Sequence, residues 1–172
     1  MAVPATFPEP SSEIVDPADL LGRYLDFYRN ELRRRIAALS DDELRASRLP
    51  SGWSPLELLS HLVHMEQRWM VWGFLGRPVD DPWGDEVGDR WHVPADVGRD
   101  ALLQRLDDGG ALTSEVLRHT PLQTSAAPGG RFTDELPTLS WIAFHVLQEY
   151  ARHLGHLDVA VELAGGPQGE GG

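Results

Sequence analysis

Residues 138–164 read TLSWIAFHVLQEYARHLGHLDVAVELA, and Gly165-Gly166 follows as a C-terminal stop. At about 100° per residue, Trp141, His145, Glu149, His153, His156, Ala160 and Leu163 share one side of a long helix. His145, Glu149, His153 and His156 fall within roughly 80° of arc on that side, which is the apolar, inward one. A carboxylate and imidazoles directed into a core need partners, because buried charge is costly unless it is paired or bound to a metal.

The same reading extends towards the N-terminus. Ser54-Pro55-Leu56-Glu57 has capping-box spacing with proline in the first turn. The helix it starts carries Leu58, His61, Leu62, Met65, Trp69 and Trp72 on one face and should stop near Gly76. Asp16-Pro17 opens an earlier helix, whose apolar face is Leu21, Leu25, Tyr28, Leu32, Ile36 and Leu39. Arg23, Arg29, Arg33 and Arg34 mark its wet side. Ser40 and Glu43 form a second capping box, which predicts a short helical turn ending near Leu49-Pro50. Asp96 to Arg118 is helical through Leu102, Leu103, Leu106, Thr113, Val116 and Leu117, weakened by Gly109-Gly110. No stretch alternates at period two and no repeat is present. Four long helices and a short extra one predict an all-α four-helix bundle.

Two loops break the helical pattern. Residues 76–95, GRPVDDPWGDEVGDRWHVPA, form a long connection between the second and third long helices. Loops of this length in compact domains are often functional. Trp83 and Trp91 stand in it as candidates for a lid over one end of the site. Residues 119–137 form the other loop. The chain is expected to divide into a loose arm over 1–15, one helical domain over 16–165 and a Gly-rich tail over 166–172.

Composition narrows the function. The 172 residues hold 27 acidic against 15 Lys and Arg, a formal charge of −12, with pI ≈ 4.9. A phosphate-neutralising face is not expected, which sets aside nucleic acid and anionic membranes as partners. Cysteine is absent, so a metal must use His and carboxylate ligands. The stretch MAVPATFPEPSSEIVDP (1–17) has neither a basic nor an apolar signal region, and no apolar run approaches the ~18 residues of a membrane span. A soluble, cytoplasmic protein is expected.

Glu149 and His153, four residues apart, can reach one ion from a single helix, and His61 from a facing helix can supply a third ligand. The plainer alternative is that Glu149 and His153 pair with each other and the inward histidines are satisfied core residues. His64, three residues after His61, points off the seam and is expected at the surface. His92 lies in the loop, and His119 closes the third long helix, where an imidazole suits the dipole.

Trp53-Ser54-Pro55 with Leu58-Leu59-Ser60-His61-Leu62, and later Glu149-Tyr150-Ala151-Arg152-His153-Leu154-Gly155-His156, resemble the DinB-like four-helix bundle superfamily. Within it they are most similar to a branch, formerly a domain of unknown function, related to mycothiol-dependent maleylpyruvate isomerases. The resemblance covers most of residues 17–165. It implies a divalent metal held by His61, Glu149 and His153, with zinc the first candidate and nickel, iron or manganese as alternatives. Many relatives have His where this chain has Glu149, and Gln where it has His156. His156 could therefore be a fourth ligand, an orienting group or a catalytic base. The implied activity is a metal-dependent transferase or isomerase that uses a low-molecular-weight thiol, of the mycothiol or bacillithiol type, on a small electrophile. His156 or His145 would shuttle a proton, and Trp69, Trp72 and Tyr150 could line a pocket. A homodimer is implied as well. The alternatives are a non-catalytic metal-binding or stress-related bundle and a metal-free dimeric interaction module.

Overall fold

The computed structural model describes residues 9–166. Most of the expected N-terminal arm and nearly all of the expected tail lie outside them. Five α-helices follow in order: α1 (Pro17–Ala37), α2 (Asp41–Arg45), α3 (Pro55–Glu66), α4 (Arg99–His119) and α5 (Leu139–Leu163). A π-helical stretch, Gln67–Phe74, continues α3. The long loop holds a two-residue antiparallel pair, β1 (Glu86–Val87) and β2 (Arg90–Trp91). These strands are too short to show period-two patterning in the sequence.

Local chemistry explains the starts. The Asp16 side chain accepts from Asp19 N at 2.8 Å, with Pro17 in the first turn of α1. Ser40 and Ser54 form the two expected capping boxes. Thr138 caps α5 by accepting from Trp141 N. The short helix ends at Arg45, before Leu49-Pro50, and α4 begins at Arg99 after Gly98, three residues later than the sequence pattern suggests.

Both α1 and α3 pack against α4 and α5. The bundle therefore runs α1, α4, α3, α5 around its axis, and α1 sits diagonally across from α3. Leu25, Leu32, Ile36, Leu58, Leu62, Leu102, Leu106, Ile142, Val146 and Leu157 fill the centre. Three inward assignments on α5 fail: Trp141, His156 and Leu163 are exposed, Trp141 and Leu163 in the first and last turns of the helix.

Arg29, expected on the wet side of α1, is buried beside Glu66. Its Nε donates to Glu66 Oε2 at 3.1 Å, and its Nη2 donates to Oε1. Thr113 Oγ1 donates to Glu66 Oε1 at 2.5 Å and Tyr150 Oη to Oε2 at 2.6 Å. Burial opposes the charge on Arg29, but Glu66 outweighs it and holds the guanidinium protonated. Gly110 makes room for this side chain: a Cβ there would lie 3.0 Å from Arg29 Cδ. Tyr150 is thus a core residue committed to Glu66 and not a pocket wall.

Removing one partner of a buried ion pair costs about 3–5 kcal/mol, because the other charge is stranded. Glu66→Ala should lower unfolding stability by about that amount in urea titration. Tyr150→Phe, which removes one donor to a charged acceptor, should cost about 1.5–3 kcal/mol. Equal midpoints for Glu66→Ala and wild type would show that the network contributes nothing.

Candidate metal centre

Two capped helices set the site. The Ser54 box fixes the start of α3 and places His61 in its second turn, facing α5. On α5, Glu149 and His153 are one turn apart and face α3. His61 Nε2 lies 3.8 Å from Glu149 Oε2, and His153 Nε2 lies 3.2 Å from the same oxygen. Ligand atoms of all three residues lie within 4.8 Å of one another. Two ligands about 2.1 Å from one tetrahedral ion stand about 3.4 Å apart, so the spacing suits an ion with modest adjustment. His61 is 12% exposed at its side chain, Glu149 16% and His153 9%, which leaves the cluster screened but reachable.

The loop supplies what the sequence pattern did not reveal. Asp85 is fully buried and accepts from His61 Nδ1 at 2.9 Å. It also accepts from Arg68 Nη1 at 2.5 Å and Nη2 at 3.1 Å. Burial raises the cost of its charge, yet the hydrogen bonds from His61 and Arg68 prevail and hold its carboxyl at about 2. An ionised carboxylate only accepts, so His61 carries a proton on Nδ1 and faces Glu149 with Nε2. Burial opposes charge on the ring, but Asp85 and Glu149 outweigh it and raise the imidazole above its ordinary value, so an ion at Nε2 would take the place of a proton there. Metal-ligating histidines in general are oriented by an outer hydrogen bond of this kind. Glu149 is held well below the usual carboxylate range, first by its hydrogen bond from His153 and then by His61. Burial keeps His153 below the ordinary imidazole value against the pull of Glu149, which favours the neutral ring a metal needs. Its Nδ1 is buried without a partner, so this imidazole lacks the outer brace that His61 has. Two imidazole nitrogens and a carboxylate oxygen form a donor set that fits a divalent transition ion. A second grouping, His61, Asp85 and Glu86, also comes close, but both Asp85 oxygens are already engaged by His61 and Arg68.

The long loop covers this end of the bundle, as a lid would. Trp91 stacks on His61 with ring centroids 4.3 Å apart and meets His153 edge-on at 5.3 Å. Trp83 lies elsewhere, under the Arg68 guanidinium at 4.5 Å. His156 is exposed, its ring 5.9 Å from that of His153 and 6.2 Å from Trp53. It stands at the rim and does not join the three clustered residues. His145 packs on Trp69 at 3.9 Å, with its Nε2 3.7 Å from Glu149 Oε1.

His64 is buried, not exposed. Its Nδ1 donates to Ser60 O at 2.9 Å and its Nε2 accepts from Arg105 Nη2 at 3.1 Å. Helix α4 packs over that face of α3, which a single-helix reading cannot foresee. His92 and His119 are exposed, away from the cluster. Asp85 and Arg68 are the residues that sequence reasoning missed. An aspartate among several in a polar loop carries no signal of its own.

Comparison with the curated proteins finds no match. Among solved structures, YfiT from Bacillus subtilis, described as a probable metal-dependent hydrolase with an unusual four-helix bundle topology, is similar in fold. Its TM-score is 0.59 at 16% identity, covering 91% of this chain and 93% of that one. The likeness supports the all-α four-helix bundle. The mycothiol-S-transferase family matches residues 20–166, which is most of the chain. With its DinB-like bundle, the chain belongs to the mycothiol-S-transferase family.

Proposed function

We propose that this protein is a divalent-metal-dependent S-transferase that joins a low-molecular-weight thiol, of the mycothiol type, to a small electrophile. His61, Glu149 and His153 would hold the ion, with zinc the first candidate and nickel, iron or manganese as alternatives. One observation carries the reading: His61, braced by buried Asp85, brings its Nε2 to Glu149 and His153 from a different helix, and ligand atoms of all three lie within 4.8 Å of one another. A divalent ion held there lowers the pKa of a bound thiol and makes thiolate available at neutral pH. The chain has no cysteine of its own to supply that sulfur.

The remaining roles follow from position. Asp85 and Arg68 orient His61. Trp91 covers the cluster and excludes water from it. His156, exposed at the rim, is placed to take a proton from the incoming thiol and pass it to solvent. A second reading, a bundle that binds no ion, draws on the direct His153–Glu149 contact at 3.2 Å. It gives no role to the approach of His61 from α3. The same three donors would also serve water, the co-substrate implied by the activity printed for YfiT. Dependence of turnover on added thiol separates transfer from hydrolysis.

Untagged protein should carry close to one divalent ion per chain, measured by elemental analysis, and His153→Ala should lose it. At an ion concentration 100-fold above Kd, stability should rise by about 2.7 kcal/mol. No ion in the wild type, with a melting temperature unmoved by zinc or nickel, sinks the metal assignment. Asp85→Asn should weaken metal affinity 10- to 100-fold by loosening His61. Unchanged affinity in a folded Asp85→Asn protein would remove Asp85 from the site. With mycothiol and an activated aryl halide, thiol loss should require both the ion and His153. Turnover independent of added thiol would favour hydrolysis.

A further inference from the structure

The chain as a whole is strongly acidic, yet one wall beside the centre is cationic. Arg68 there has its counter-charge in Asp85. Arg131, from the connection between α4 and α5, has none. Its guanidinium lies over Trp69 at 4.3 Å, Trp83 at 5.5 Å and Trp72 at 5.9 Å. Its Nη1 is buried with no hydrogen-bond partner. Among the described residues, no carboxylate or carbonyl accepts from any nitrogen of this side chain.

The segment that carries Arg131 is built to hold it there. Arg131 N donates to Trp72 O at 3.1 Å, and Ala127 N to Phe74 O at 2.8 Å, so the strap is tied to the π-helical stretch. Gly130 is required by the approach: a Cβ would fall 2.0 Å from Trp72 O. Gly73 opposes the strap from the other side, where a Cβ would lie 3.3 Å from Phe132 Cε2. Arg131 is therefore fixed in place, and its partly buried charge is left uncompensated, which is costly unless something answers it.

Arg131 also adjoins the reaction centre. The Trp69 ring under it packs on His145 at 3.9 Å, and His145 Nε2 lies 3.7 Å from Glu149 Oε1. One indole and one imidazole separate the guanidinium from the metal-ligand cluster. We infer that Arg131 binds a carboxylate borne by the small-molecule electrophile, and that Trp69 and Trp83 hold the apolar part beside it. This inference rests on the proposed reaction centre at His61, Glu149 and His153. A guanidinium matches a carboxylate with two parallel hydrogen bonds from one edge; with Nη1 buried against the indoles, the edge left for a ligand is that of Nε and Nη2. The competing view makes Arg131 a structural peg among tryptophans, needed only for stability.

Two carboxylates, benzoate and propionate, and their amides separate these views, with binding read by tryptophan fluorescence and calorimetry. Wild type should prefer a carboxylate over its amide by about ten- to a hundred-fold. The preference should survive removal of metal with EDTA and persist in His153→Ala. Arg131→Met should abolish it, and Arg131→Lys should retain part. No preference in wild type, no binding of either carboxylate, or a preference kept by Arg131→Met would overturn the inference. So would a preference lost with EDTA, since the carboxylate would then sit on the metal. Wild-type protein gives an independent test should Arg131→Met not fold. Benzoate, and not benzamide, should protect Arg131 from phenylglyoxal, as read by peptide mass spectrometry. Equal modification with either compound overturns the assignment. If purified wild type holds no metal but the carboxylate preference is present, the reaction centre fails while Arg131 stands as an anion site.

Discussion

One carboxylate ties the four long helices together. Glu66, on α3, accepts from Arg29 on α1, Thr113 on α4 and Tyr150 on α5. Hydrophobic packing is non-directional and tolerates small rotations of one helix against another. A buried carboxylate with four directed bonds does not. The Glu66 cluster therefore sets which faces of α3 and α5 meet. Tyr150 adjoins Glu149 in sequence, and Glu66 is little more than one turn beyond His61. The contact that closes the core thus also fixes the facing of the candidate ligands. A buried ion pair is weak evidence for stability by itself, and its use in fixing register is better attested. Here the register it fixes is the one the site needs.

The π-helical stretch begins one residue after Glu66 and governs the other side of the site. Leu75 N bonds to Met70 O, five residues back, and Gly73 tolerates the close Arg68 carbonyl. Such wide turns are frequent at functional positions because they re-aim side chains within a helix. Arg68 turns inward to Asp85, and Trp69 turns towards His145 and Arg131. A regular α-helix would carry these residues round by a different angle at each step. The candidate site has two halves with separate causes: candidate ligands placed by α-helical spacing, and a cationic, aromatic wall placed by its interruption.

The difference marks how much was legible in the sequence. Helix starts were readable because Ser54-Pro55-Leu56-Glu57 and Asp16-Pro17 act locally, through hydrogen bonds spanning three residues. The convergence of His61, Glu149 and His153 was readable because each faces inward at α-helical spacing. Periodicity reports a face, not the neighbour on it, so Arg29 looked solvated and His64 looked exposed until α4 covered both. The pairing of Asp85 with His61 spans 24 positions and depends on a loop closing over α3. No local pattern encodes that closure. The π-helical stretch carries no local signal either, and the strap that bonds to its carbonyls at Trp72 and Phe74 comes from more than fifty residues later in the chain.

Charge gives the last constraint. A formal charge of −12 repels anions at long range, but in physiological salt that field fades over about 8 Å. Beyond this length the acidic surface does not steer a small anion, and within it the local groups decide. There Asp85 is neutralised by Arg68, and Glu149 is hydrogen-bonded by His153, while Arg131 stays unanswered among indoles. Low-dielectric walls strengthen what remains, since the attraction between unit charges grows as solvent is excluded. An acidic protein can therefore present a local cationic spot at Arg131. A small carboxylate needs only one edge of one guanidinium, so such a group can be met locally whatever the sign of the distant surface.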